Sequence, residues 1–279
     1  MFRALENSWK LVKGSLKLIF ANPKLFVFPL LSFICFFLAL ISIIAIVAPA
    51  ILMGGEEARQ TLTVLVYIAV LFLMFIGPFF GTFFAVGLSY ETGEVLRGHK
   101  VSLRRGFKHA FKNIGEVAMW AVTLFFINIV AAVLRRQAQR FGGAGRMIGN
   151  TLINVMLAGW SFATAFVVPI MAFEDTNPFH SIKKSVTLLK GTWGETLVGA
   201  VGAGSVLGLL IIPLTLLLFI PFVGIFFLPV FLIGVVIISL LTQVFNTVFM
   251  TSLYLYATDK DATKAEKYYD KDLILHGFY

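Results

Sequence analysis

Six stretches of this chain are each apolar enough and long enough to cross a bilayer: roughly 25–52, 61–90, 114–134, 147–173, 195–220 and 224–257. A helix needs about 20 such residues to span the hydrocarbon core. A membrane barrel would show alternating segments of about 10 residues, and no such run is found. In lipid the backbone must satisfy its own hydrogen bonds, so the six stretches predict six transmembrane helices in an all-α integral membrane protein. Composition agrees: 59% of the 279 residues are hydrophobic, 30 are Phe and only 13% are charged, where soluble domains average about 25%. The single cysteine, Cys35, has no partner for an intrachain disulfide. The first stretch far exceeds the ~7–15 residues of a signal-peptide core, so Ala48-Pro49-Ala50 at its end is read as part of a retained span. Pro29, Pro78, Pro169, Pro213 and Pro229 lie inside spans and predict kinks, with Gly77-Pro78 the strongest break. "PFVG" (221–224) is expected to turn the chain between the last two spans.

Charge orients these spans. An even number puts both termini on one side, and that side collects 18 Lys and Arg against 5 on the other. The positive-inside rule then places both termini in the cytoplasm, with the chain in the cytoplasmic (inner) membrane. The net charge of +9 flanks apolar spans and matches no nucleic-acid motif. Its expected partners are therefore anionic lipid headgroups, not nucleic acid. A homo-oligomer or a membrane protein partner is also open.

One basic phrase is written twice. "SLRRGFKHAFKNIGE" (102–116) returns without a gap as "SIKKSVTLLKGTWGE" (181–195), 79 residues on. In the first copy Leu103, Phe107, Ala110 and Phe111 share one helical face, and Arg104, Arg105, Lys108 and Lys112 share another. In the second, Ile182, Val186 and Leu189 oppose Lys183, Thr187 and Lys190, with Lys184 beside them. Basic amphipathic helices beside spans tend to lie in the membrane interface. The leader reads as a third copy, "LKLIFAN" (16–22) lying over "FKHAFKN" (107–113). Its expected apolar face is Trp9, Val12, Leu16, Ile19 and Phe20, opposite Lys10, Lys13 and Lys17. The chain thus reads as one membrane domain, 1–258, followed by a charged tail, 259–279. The domain divides into three units of in-plane helix plus two-span hairpin, about 2–91, 92–174 and 175–258.

The stretch "VPIMAFEDTNPFHSIKKSVTLLKGTWGE" (168–195) ends a span in Pro-then-Glu, continues into an amphipathic helix and meets a Trp at the next span. With "SWKLVKGSLKLIFANPKLFVFPLL" (8–31), it resembles a broad group of uncharacterised six-span prokaryotic membrane proteins. Their relatives include the membrane domain of some glycerophosphodiester phosphodiesterases. The resemblance implies a helical inner-membrane fold and brings no catalytic residues with it.

No enzymatic chemistry is legible. His99, His109, His180 and His276 lack metal-ligand spacing, and neither a phosphate loop nor a nucleophile elbow is present. No metal or cofactor is expected, and the expectation is a protein that is not an enzyme. Glu116, Glu174 and Glu195 sit only near span ends, which argues against ion-coupled pumping. Gln243, Asn246 and Thr247 share a face of the last span, and Asn128, Asn154, Ser161 and Thr164 add neutral polarity to the third and fourth. Such groups bond between helices or line a weakly polar path. "GAVGAGSVLG" (199–208) reads as a close-packing stripe. In "RRQAQRFGGAGR" (135–146), Arg135, Arg136, Arg140 and Arg146 stand on the outer side as headgroup anchors or an anion-attracting vestibule. The leading expectation is a passive or facilitative transporter or channel, with anions as candidate cargo. The alternative is a non-transporting membrane organiser or accessory protein that binds lipids or partner proteins. Interfacial contacts are expected from Arg104, Arg105, Lys108, Lys183, Lys184 and Lys190.

Overall fold

A computed structural model describes residues 2–53, 56–174, 176–190, 215, 223–258 and 268–269. The expected fifth span (195–220), the glycine stripe within it, the full "PFVG" turn and most of the tail lie outside the described residues.

The described chain is helical. In order come α1 (Phe2–Ala21), a 3-10 turn (Pro23–Phe26), α2 (Val27–Met53), α3 (Glu56–Leu96) and α4 (Leu103–Lys112). Next are α5 (Ile114–Ala138), α6 (Gly143–Ala163), α7 (Val167–Phe173), α8 (178–190) and α9 (Val223–Thr258). Five segments are long and apolar enough to cross a membrane: Pro23–Pro49, Arg59–Leu96, Ile114–Ala138, Gly143–Phe173 and Phe227–Thr258. They coincide with five of the six expected spans. The protein is a membrane-embedded helical bundle.

α3 is its hub, touching α2, α4, α5, α7 and α9. Its 41 residues extend about 60 Å at 1.5 Å per residue, twice the hydrocarbon thickness. It runs unbroken through Gly77-Pro78, contrary to expectation. The break comes in the fourth span, where the chain leaves the helix over Thr164–Phe166 between α6 and α7. Pro169 supplies a reason: it has no N–H for the carbonyl of Ala165, and its ring crowds that carbonyl. In the first turn of α7 the missing donor is tolerated.

The packed core lies at one end. Its large buried side chains include Phe28 at the start of α2, Trp120 near the start of α5, and Leu88 near the end of α3. Ile170 of α7 and Phe245, Phe249 and Leu253 of α9 complete it. Starts of some spans and ends of others meet there, as antiparallel neighbours require. Towards the other end Ile41, Ile44, Ile46, Val64 and Ile68 are exposed. In lipid such apolar surface needs no protein cover.

Candidate functional site: a charged collar at one end of the bundle

The amphipathic helices α1, α4 and α8 gather around this core. In α4, Ser102 caps the helix, its hydroxyl accepting from the N–H of Arg105. Phe107 meets Phe28 and Phe84 at ring-centroid distances of 5.2 and 6.0 Å, and Phe111 meets Phe83 at 4.9 Å. Gly106 is buried at the crossing. A Cβ there would come within 2.5 Å of the Phe28 ring and 2.9 Å of Glu91 Cγ.

The adjacent basic residues of the phrase divide their work. Arg105 turns inward and clamps the fully buried Glu91 with two hydrogen bonds, Nε to Oε1 at 2.8 Å and Nη2 to Oε2 at 2.9 Å. The Ser102 N–H adds a third at 2.7 Å. Glu94 draws in Arg105, Arg97 and His99 at 3.2, 3.4 and 3.1 Å. The bond to Glu91 raises the Arg105 pKa further above its ordinary value, against a smaller opposing effect of burial. In α8 the same place belongs to Lys184, whose ammonium meets Glu174 Oε1. Tyr254 of α9 donates to that same oxygen. Arg105 and Lys184, expected among the interfacial basic residues, are ion-pair partners inside the collar. One residue turns a helix by about 100°, so Arg104 and Lys183 point outward and are exposed.

Rings tie the elements together. His109 stacks on Tyr90 at 3.8 Å. Phe173 stacks on Tyr90 at 6.2 Å and on Tyr254 at 5.9 Å. His109 Nε2 lies 2.7 Å from the Ala172 carbonyl and 3.1 Å from Asn113 Nδ2. At the break in the fourth span, Ser185 of α8 takes over the freed backbone groups. Its Oγ donates to the Ala163 carbonyl at 2.7 Å and accepts from the Phe166 N–H at 3.2 Å.

The leader packs on the bundle by a side that the sequence did not single out. Leu11, Gly14, Ser15, Leu18 and Ile19 face the bundle, while Trp9, Leu16 and Phe20 are exposed. Small residues decided this face, and they carry no hydropathy signal. The tail reaches back to it. Tyr269 OH lies 3.1 Å from Ser15 Oγ and donates to Ser252 Oγ at 2.8 Å. Asn22 Nδ2 donates to Tyr268 OH at 3.3 Å.

Aligned as the sequence suggests, the three helices share details. Ser15, Gly106 and Ser185 are all buried, and so are Ile19, Ala110 and Leu189. Asn22 and Asn113 both bond back through Nδ2 to the carbonyl four residues earlier, at 2.9 and 3.0 Å. Gly14 stands where Arg105 and Lys184 stand, and the ring of Tyr269 occupies that space.

A family model matches residues 64–264, about seven-tenths of the chain and nearly all of the collar's partners from α3 to α9. The chain belongs to this family of unknown function, DUF6159. In this DUF6159 member α1, α2 and the Tyr268–Tyr269 contact fall outside the matched residues. No curated protein matches the chain, and no solved structure matches it.

The expected polar path is only partly assembled. Asn128, Asn154 and Ser161 are exposed, and Asn154 Oδ1 accepts from Arg135 Nη2 at 2.9 Å. Thr164 bonds to the carbonyl of Trp160 at 2.8 Å inside the break. Gln243, Asn246 and Thr247 are half-buried together on α9. Arg136, Arg140 and Arg146 are exposed with Arg135 around the α5–α6 turn. Two cavities of about 400 Å³ are lined by other residues. One lies between α2 and α3 against Ser42, Ile43, Ile46, Leu65 and Phe72. The other lies between α6 and α8 against Phe162, Ala163, Val186 and Leu189.

Proposed function

We propose that this DUF6159 protein is a non-transporting membrane organiser: an inner-membrane scaffold that holds a rigid charged collar at the cytoplasmic face, where both termini also lie. The observation that carries this reading is the distribution of order. Among the described residues, packing, ion pairs and ring stacks concentrate in the collar, while the opposite halves of the spans are clothed in exposed apolar side chains. The collar's buried carboxylate, Glu91, is held by Arg105, and Glu174 by Lys184 and Tyr254. They serve architecture, which supports a role without catalysis. The shared positions in α1, α4 and α8 support a threefold internal repeat of in-plane helix plus hairpin, with a sixth span within 195–220. The resemblance to membrane domains joined to phosphodiesterases supports an accessory role beside partner proteins.

Passive transport is the second reading, favoured by the shared face of Gln243, Asn246 and Thr247 on α9. Flux into proteoliposomes separates the two. The scaffold passes no chloride, sulfate, phosphate or small neutral solute above empty liposomes. Protein-dependent flux would overturn it. Loss of that flux at low salt when Arg135, Arg136, Arg140 and Arg146 become Gln would assign them to an entrance.

A further inference from the structure

We infer that the outward sides of α1, α4 and α8 form a surface for anionic phospholipid, with named cations placed at the phosphate level. Charge is sorted by direction around the collar. Glu91, Glu94 and Glu174 turn inward and are paired there. Lys13, Lys17, Arg104, Lys108, Lys183 and Lys190 turn outward and are exposed. Among the described residues none of these six meets a carboxylate within ion-pair distance.

Each outward side also carries apolar groups. Beside the α1 cations stand Trp9 and Phe20, 59% and 70% exposed, with Lys13 Nζ 5.4 Å from the Trp9 ring. Beside those of α4 stands Phe111, 61% exposed, and beside those of α8 stands Phe179, 62% exposed. Phe20 and Phe111 occupy equivalent places in the aligned helices. Connectivity sets their depth. α1 ends two residues before the first candidate span begins at Pro23, and α4 ends two residues before the span that begins at Ile114. Phe20 and Phe111 therefore sit at the mouth of the hydrocarbon, where aromatic rings and lysines partition between headgroup and acyl chain. A leaflet rich in anionic lipid supplies both the phosphate and the apolar phase. An acidic soluble protein would supply negative charge without the apolar phase.

The inference rests on the collar lying at the membrane face, but it stands independently of whether solutes pass. The full chain is placed in nanodiscs of equal phosphatidylglycerol and phosphatidylcholine, and the lipids it retains are counted by native mass spectrometry. The expected result is preferential retention of phosphatidylglycerol. It weakens as salt rises and falls by about fivefold or more when all six cations become Gln, the factor expected from the loss of even one surface cation. The four arginines of the α5–α6 turn are left intact, so the loss reports on the collar. Helical content and monodispersity check folding, and variants of one helix at a time give graded losses if the sixfold variant fails to fold. Equal retention of the two lipids by the wild type would overturn the inference. So would an undiminished preference in a folded sixfold variant. Flux, by contrast, would sink the scaffold and leave this surface in place.

Discussion

Tyr269 lies so close over Gly14 that a Cβ on the glycine would come within 2.3 Å of the ring carbon Cδ1. The ring is 5% exposed, so it has little room to move aside. Gly14→Ala therefore sets two effects against each other. Alanine favours a helix by about 0.8–1 kcal/mol over glycine, and the clash opposes it. The clash is expected to win, lowering thermal stability in detergent and opening the tail to protease. In a Tyr269→Ala background the same substitution is expected to stabilise. A double-mutant cycle with no coupling between the two positions would show that the contact is absent in solution.

The same tyrosine gives the tail contact a pH dependence. Burial raises the Tyr269 pKa above 10, with the bonds to Ser15 and Ser252 partly opposing. The native state then keeps its proton where the unfolded state releases one, so stability is unaffected well below pH 10 and falls as pH rises past about 10. Tail protection against protease should be lost in alkali more steeply than the global fold. Tyr269→Phe should flatten that excess, although it forfeits two hydroxyl contacts and starts from a lower baseline. An identical alkaline profile in the two proteins would remove Tyr269 as its cause.

Arg104 and Arg105 are neighbours in sequence with opposite surroundings. Arg105→Gln leaves the fully buried Glu91 without its guanidinium partner, and breaking a buried pair from one side costs about 3–5 kcal/mol. Arg104→Gln touches an exposed side chain and should change stability by no more than about 0.5 kcal/mol. Lys184→Gln should fall between, since Glu174 is 22% exposed and retains Tyr254. Thermal unfolding of the purified variants gives the order, and equal losses from Arg104 and Arg105 would contradict the inward–outward division.

How much of this was legible beforehand depends on the range of each cause. Five spans were readable because apolar length is a local property that lipid enforces directly. The break at Thr164–Phe166 was not singled out over Gly77-Pro78, because each place has a proline in it or just after it. What distinguishes the break is Ser185, about twenty residues further on. The inward and outward members of Arg104-Arg105 look alike in sequence, and only the position of Glu91 on another helix separates them. The face of the leader that packs on the bundle was not legible, because Gly14 and Ser15, buried there for their small size, score as neutral. Tyr269 is one of four aromatic residues in the charged tail, and nothing local marks it. Asn128, Asn154 and Ser161 were rightly noticed as polar, yet their exposure is a matter of packing between helices.

Ser185 makes the break in the fourth span a point of vulnerability. Replacing it by alanine leaves the Ala163 carbonyl and the Phe166 N–H without the hydroxyl that serves both. A buried backbone group stripped of its partner costs about 1–3 kcal/mol. The expected signature is local: faster hydrogen exchange over 162–170 with little change at the α3–α4 junction. Ser185→Thr keeps the hydroxyl and should rescue much of the protection. Unchanged exchange in Ser185→Ala would mean that the break is satisfied by other groups.

Orientation is open to a direct test with single cysteines, after Cys35 is replaced. Lys100 and Thr187 lie at the collar, and Gln60 and Gly142 lie near the far ends of α3 and α5; all four are exposed. A cysteine at Gly142 meets no neighbour within 4 Å. The 18-to-5 division of Lys and Arg predicts a cytoplasmic collar, because positive segments are retained on that side during insertion. An impermeant thiol reagent added to intact cells should therefore label positions 60 and 142 and spare 100 and 187, which become reactive only after the membrane is opened. Labelling of 100 from outside would invert the protein and turn the anionic-lipid surface towards the opposite leaflet. Labelling of 60 but not 142 would require the two hairpin tips to lie on different sides, which the antiparallel meeting of span starts and ends at one core does not allow.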